Sequence, residues 1–373
     1  MPDATRSPQD PLRDAADTIR GDRGASQTPD LDGDFLLGAT RALHEDIRAR
    51  VTDVLQRAHR DGRPELASRV GAQGAGDVSY AIDDAAEVAL RAFGLQLGAR
   101  GPVTLVAEGP GVQRFGAPVA ARDGGDVAAA PPLRALIDPV DGTRSLMHDM
   151  RSAWALTGIA RDAGDGTRLS DIEVAVQTEL PVTTAGIYRV LWARRGHGAW
   201  IARHDVASGR ELERAPLRAP AEDAIENGYL CFARFLAVER PLVAALEQRF
   251  LERLIAAHAL SPRLLYDDQY LCSAGQLFLT ATGRYRMLAD LRGWLHRTRG
   301  LANFTAKPYD LAALLVFTEA GVPVLDEHFA PLDAPLDTET KLSVVAFANE
   351  GLRGKLEPHL RAAMADAVGA PAP

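Results

Sequence analysis

The segment IDPVDGT, residues 137–143, sets two carboxylates three residues apart around a proline and just ahead of a glycine. Asp138 stands where an apolar run, LRALI, ends. Pro139 removes a backbone donor and biases the residue before it towards an extended conformation. Gly142 can take backbone angles closed to other residues, and Thr143 is of a type that caps a following helix. A tight turn of this composition points Asp138, Asp141 and the Val140 carbonyl at one spot. It also sets the amides of Gly142 and Thr143 beside them, where they suit a phosphate. Hard oxygen ligands around a shared point favour magnesium or manganese over zinc. Acidic turns that bind nothing share this spacing, so the rest of the chain must decide.

The elements that would position these groups are legible as apolar runs. PVTLVA (102–107) reads as a short buried strand leading straight to Glu108, and LRALID (133–138) as a second strand ending in an acid. Before them, Leu36, Leu43, Ile47, Val51 and Val54 mark one face of an amphipathic helix. A glycine-rich loop, GAQGAG (71–76), precedes DVSYAIDD and a second helix, AAEVALRAFGLQL. Residues 110–132, rich in Gly, Ala and Pro, read as a surface loop. SAWALTGIAR, DIEVAVQTEL and AGIYRVLWARRG continue as strands. GYLCFARF, RPLVAALEQRFLERLI, QLFLTATG, YRMLADLRG and DLAALLVFTEAG then give an alternating α/β pattern. The expected organisation is a tail over 1–33, an α+β domain over 34–205, and an α/β domain over 222–365 that supplies Asp310. The polar, proline-containing stretch at 205–222 is read as the junction.

With these segments in place, DPVDGT (138–143) resembles the DPxDGT signature of the inositol monophosphatase superfamily. These are magnesium-dependent, lithium-sensitive phosphatases, including fructose-1,6-bisphosphatase-like and nucleotide phosphatase-like members. AEG (107–109) sits where that family carries an acid after the preceding strand. PYDLAALLVFTEAG (308–321) resembles the family's downstream motif, an aromatic and an Asp followed by small residues opening a helix. WALTGIA (154–160), ARRGHGAW (193–200) and IDDAAE (82–87) fall where the family has similar stretches. The match covers roughly residues 34–360.

The resemblance implies a layered αβαβα sandwich, α+β with α/β character, with the active site between two halves. It implies that Glu108, Asp138 and the Val140 carbonyl hold one Mg2+, and that Asp138 bridges to a second, which Asp141 and Asp310 complete. Mn2+ is expected to substitute. The attacking water would lie near Glu108 and Thr143, and Asp83 would accept a hydrogen bond from the Thr143 hydroxyl. Two cations about 4 Å apart neutralise a phosphate ester and place an oxygen nucleophile in line, so no Ser, Cys or His nucleophile is required. Three departures stand out. Gly109 replaces a frequent second Glu, which leaves two or three ions open. Ser145 replaces the usual Asn, and Tyr309 the usual Trp.

Several of these residues have a second use. Asp83 and Asp310 can each cap the helix that follows, and Glu108 can be a surface acid. Arg144, inside the phosphate-facing turn, and Arg292, in ADLRG, are candidates for meeting an anionic substrate. Pairing with Asp149 and Asp290, respectively, is the other use.

Composition narrows the partners. The chain has 373 residues and a formal net charge of −8, so a nucleic acid polymer or an anionic membrane is not a favoured partner. Bound cations would still admit an anionic small molecule. Cys231 and Cys272 form no CxxC, which removes a zinc ribbon or a thioredoxin-like motif. MPDATRSPQDPL lacks an apolar signal core, and no stretch approaches the roughly 18 apolar residues of a membrane span. A cytoplasmic protein is expected. Its expected function is magnesium-dependent hydrolysis of a small inositol, sugar or nucleotide phosphate, and the resemblance implies a homodimer. The alternative is a catalytically weakened relative that binds phosphate ligands or a protein.

Overall fold

Asp32 opens the first helix, α1 (Gly33–Arg60), by accepting the Phe35 amide at 3.1 Å, which satisfies one of the helix's orphan donors. Leu36, Leu43, Ile47 and Val51 of its apolar stripe are buried, and Leu55 rather than Val54 completes it. The computed structural model describes residues 31–61, 70–73, 78–116, 132–235, 237, 240–300 and 304–369, except for a few side chains within them, Asp83's included. The tail expected over 1–33, except its last three residues, and most of the loop expected over 110–132 lie outside this description. From Asp32 onward the described residues form one compact unit.

After α1 come a two-stranded antiparallel ribbon, β1 (Val70–Gln73) and β2 (Val78–Tyr80), and helix α2 (Ala81–Gly98). Eight strands then build the larger sheet. They are β3 (Val103–Ala107), β4 (Gly111–Phe115), β5 (Leu133–Asp141), β6 (Ala153–Arg161), β7 (Val174–Leu180), β8 (Ile187–Arg194), β9 (Ala199–Asp205) and β10 (Glu211–Leu217). Their order is β10-β9-β8-β7-β6-β5-β3-β4. Only β3 and β5 run parallel. The single-turn helix α3 (Thr143–Leu146) follows β5.

The second sheet has the order β12-β11-β13-β15-β14. Its members are β11 (Gly228–Phe232), β12 (Leu265–Tyr266), β13 (Tyr285–Asp290), β14 (Val324–Leu325) and β15 (Val344–Phe347). Four helices lie between and after these strands: α4 (Arg240–His258), α5 (Ser273–Ala281), α6 (Arg292–Arg299) and α7 (Leu314–Glu319). The chain closes with α8 (Glu350–Gly369).

Strands β5, β6 and β7 are buried almost without a break, because both faces of the sheet are covered. Helices α1 and α2 pack on one face, and α5 and α7 on the other. Helix α5 also packs on the second sheet, whose far face takes α8 and, beside it, α4. The result is an αβαβα sandwich. One core joins the two sheets through Trp154, Phe278, Phe317 and Leu288. Another, around Phe232, Phe250, Phe347 and Leu356, lies under the outer helices. Each such large apolar side chain stabilises the fold by about 1.5–3 kcal/mol when fully buried.

Three segments read as irregular contain strands, the first being residues 71–73 of the glycine-rich loop, which belong to β1 and pair with β2. Residues 111–115 of the loop expected over 110–132 pair with β3 as its antiparallel edge partner. Residues 211–217, inside the expected junction, pair with β9. Strand β10 is mostly exposed and carries Pro216, features that an edge strand tolerates and that mimic a loop in sequence. No helix among the described residues is long and apolar enough to cross a membrane.

Candidate metal centre

A regular strand sends residues three apart to opposite faces. Asp138 and Asp141 escape this rule through a β-bulge. Asp138 pairs with Leu156 and Asp141 with Trp154, so three steps on β5 match two on β6. The extra residue resets the alternation and brings both carboxylates to the side where the second half of the chain approaches. Pro139, which has no amide to donate, sits inside the irregularity. The turn expected between the two acids is therefore part of a strand. Gly142 follows with φ 99° and ψ 21° and caps α3. Thr143 is not the cap: it opens the helix, and its hydroxyl donates back to the Val140 carbonyl at 2.8 Å.

Asp310 comes to the same place from far along the chain, on a 3₁₀ turn, Tyr309–Leu311, that rests against the larger sheet. Gly158 of β6 permits this approach, since a Cβ there would stand 2.2 Å from the Ala312 carbonyl oxygen. One Asp310 oxygen accepts the Lys307 amide at 2.7 Å, so the carboxylate caps backward and does not open α7. Asp138, Asp141 and Asp310 offer oxygens that all lie within 4.8 Å of one another. Glu108, half-buried just past β3, donates its amide to the Ile137 carbonyl at 3.1 Å. Its carboxyl faces Asp138. Asp83 lies on α2, and its side chain is outside the described part of the structure.

Crowding like charges away from water has a cost, and the titration of these groups reflects it. Burial pushes the Asp138 carboxyl well above the usual range, with further upward pressure from Glu108, Asp141 and Asp310. Asp310 is raised to about 8 by burial and then by Asp141. Asp141 is raised only to about 6, because the Ala274 amide, the Cys272 thiol and the Arg292 charge oppose its burial. Asp138 is fully buried; its Oδ1 accepts the Val140 amide at 3.0 Å, its Oδ2 meets no donor among the described residues, and its carboxyl lies against that of Glu108. A buried carboxylate oxygen with no donor, among other carboxylates, fits a divalent cation bound by hard oxygen ligands.

The remaining candidates sit around this cluster. The Arg292 side chain is buried and donates through Nε and Nη2 to Asp290 and through Nη1 to the Phe304 carbonyl. Its charge still reaches Asp141 and Asp310. Arg144 stacks its guanidinium over the Phe304 ring, 4.3 Å from the centroid, and Asp149 binds the Thr183 amide and hydroxyl. Helix α5 is a participant that the sequence reading did not name. Its Ala274 amide donates to Asp141 Oδ2 at 2.6 Å, and the Cys272 thiol caps the helix beside it. The one sequence signal was local: CSAG opening an apolar run resembles a helix start, but nothing in it points to Asp141.

The architecture and the acidic cluster between the sheets define the layered fold of inositol monophosphatases and fructose-1,6-bisphosphatases. Solved structures bear this out. Leishmania major fructose-1,6-bisphosphatase in holo form superposes with a TM-score of 0.62, covering 90% of this chain and 96% of that one at 14% identity. Mycobacterium tuberculosis SuhB gives a TM-score of 0.52 at 17% identity, covering 90% and 98%. Inositol monophosphatase-II from Staphylococcus aureus gives a TM-score of 0.52 at 16% identity, covering 91% and 100%. No family model and no curated protein matches the sequence.

Proposed function

We propose that this chain is a magnesium-dependent phosphomonoesterase acting on a small phosphorylated substrate. The observation that carries the reading is the meeting of Asp138, Asp141 and Asp310 within 4.8 Å, with Asp138 Oδ2 buried and unpartnered. The names of the similar structures, a fructose-1,6-bisphosphatase and an inositol monophosphatase, point to hydrolysis of a phosphate ester. Glu108, Asp138, the Val140 carbonyl, Asp141 and Asp310 would hold the cations. Cations held there would neutralise the phosphoryl group and align the attacking and leaving oxygens.

The chain's own groups do the rest. The Gly142 and Thr143 amides at the start of α3 hold the phosphate. Glu108 orients the attacking water and accepts its proton. The Thr143 hydroxyl, bonded to Val140 in this structure, turns towards the water and Asp83 when substrate enters. Arg144 meets a second anionic group where the substrate has one.

The test is phosphate release from inositol monophosphate, fructose 1,6-bisphosphate and nucleotide monophosphates, with Mg2+ and with excess EDTA. Release that needs Mg2+ and stops in EDTA is expected. Full activity in EDTA, or no release from any of the three substrate classes, would remove the reading.

A further inference from the structure

Asp141, unlike Asp138 and Asp310, whose amide donors among the described residues are local, is gripped by donors from elsewhere in the chain. The Ala274 amide and the Cys272 thiol reach its Oδ2 at 2.6 and 3.3 Å, across 133 and 131 residues of sequence. The thiol also lies 3.2 Å from the Asp141 carbonyl oxygen. The same sulfur accepts the Gly275 amide at 3.2 Å, which makes it the N-cap of α5. It fits because the loop beside Asp141 gives it room: a Cβ on Gly142 would stand 2.9 Å from Cys272 Cβ and 3.1 Å from its sulfur. The bulge leaves Asp141 at an irregular end of β5, where the strand itself does little to set a side chain. The other cysteine, Cys231, is equally buried but lies on β11 in the second sheet.

We propose that Cys272 is a positioning residue for Asp141: its thiol ties the start of α5 to the carboxylate and fixes the orientation in which Asp141 is offered to a cation. This rests on the metal-site reading above. The independent sign of a ligand at this place is Asp138 Oδ2 in the same cluster, fully buried and without a donor among the described residues. A hydrogen bond to the back of a ligating group sets its direction, and its removal typically weakens metal affinity by about 10–100-fold. A sulfur that both donates and accepts performs two tasks that an apolar residue of similar size cannot.

The experiment is a calorimetric titration of the metal-stripped full chain with Mn2+, alongside thermal melts, for the unaltered protein and for Cys272→Ala, Cys272→Val and Cys272→Ser. Ala leaves space, Val fills it, and neither donates; Ser keeps a donor. The expected result is a loss of Mn2+ affinity of about 10–100-fold in Ala and Val, with most of it recovered in Ser, even where all three variants melt lower. Affinities in Ala and Val equal to that of the unaltered protein would overturn the inference. So would Ser binding as weakly as Ala, because packing rather than the hydrogen bond would then be the cause. Absence of Mn2+ binding in the unaltered protein would overturn the metal-site reading, and this inference with it.

Discussion

Two polar clusters are buried in the larger sheet, one on each face, and they are built on opposite principles. Under α1, His44 is fully buried, with Nδ1 against the Thr178 hydroxyl at 3.0 Å and Nε2 against that of Thr157 at 2.9 Å. Each ring nitrogen has a partner and no charge is required; burial holds the ring neutral, its pKa lowered to about 3. On the other face, Asp138, Asp141 and Asp310 crowd like charges together and leave Asp138 Oδ2 without a partner. The same cause, burial, moves the histidine down and the carboxyls up, since it disfavours whichever form is charged. One cluster is complete in itself and holds α1 to the sheet. The other leaves one buried carboxylate oxygen without a donor among the described residues.

The largest expected effect breaks the second cluster. Asp138→Asn should lower magnesium-dependent phosphate release by at least about 100-fold and raise the melting temperature of the metal-free protein, because it removes charge crowding. Asp83→Asn should cost much less, since in the proposed mechanism Asp83 would act through Thr143; similar residual rates at saturating Mg2+ would break that ranking. Next comes the self-sufficient cluster. His44→Ala should destabilise by about 2–4 kcal/mol, the combined cost of a cavity and of hydroxyls left unpaired. Urea titration reads this loss, and Mn2+ affinity should stay as it was.

The two clusters should also respond to pH in opposite directions. Asp310 and Asp141 have folded pKa values of about 8 and about 6, above the ordinary 3.8. Their contribution is therefore present below 3.8 and is lost as pH rises towards 8. His44, depressed from 6.5 to about 3, contributes above 6.5 and loses that contribution as pH falls towards 3. The gap between melting temperatures in Mg2+ and in EDTA should thus widen from pH 5 to pH 8; a constant gap would count against cation binding by these acids. The smallest effect concerns Arg144. Arg144→Ala should raise KM several-fold for a sugar bisphosphate and less for a monophosphate, and equal changes would return Arg144 to its stack on Phe304.

Much of this was readable in the chain because it is local. Apolar runs leading to Glu108 and Asp138 marked β3 and the first part of β5, which continues to Asp141 instead of ending at Asp138, and the stripe from Leu36 to Val51 marked α1. The spacing of Asp138 and Asp141 was visible, but not the bulge that lets both face one way, since a bulge is defined by the partner strand. Asp310 was accessible only through resemblance to a family motif. Gly158, which lets its turn settle on β6, looks like any strand glycine. Cys272 was invisible because its partner lies 131 residues away. Strand β10 was missed because its exposed face and Pro216 read as a loop.

The seating of Asp310 against Gly158 also puts the site on a clock. The chain is made from its N-terminus, and folding follows emergence at about 5–20 residues per second. Glu108, Asp138 and Asp141 therefore emerge early, and the whole of the larger sheet can be laid down while the surface over Gly158 still faces water. The turn that covers it follows on the order of ten seconds later. During that interval the nascent chain carries Glu108, Asp138 and Asp141 without the Asp310 turn over them. If the proposed cations bind, their full retention would coincide with the docking of the second half of the chain.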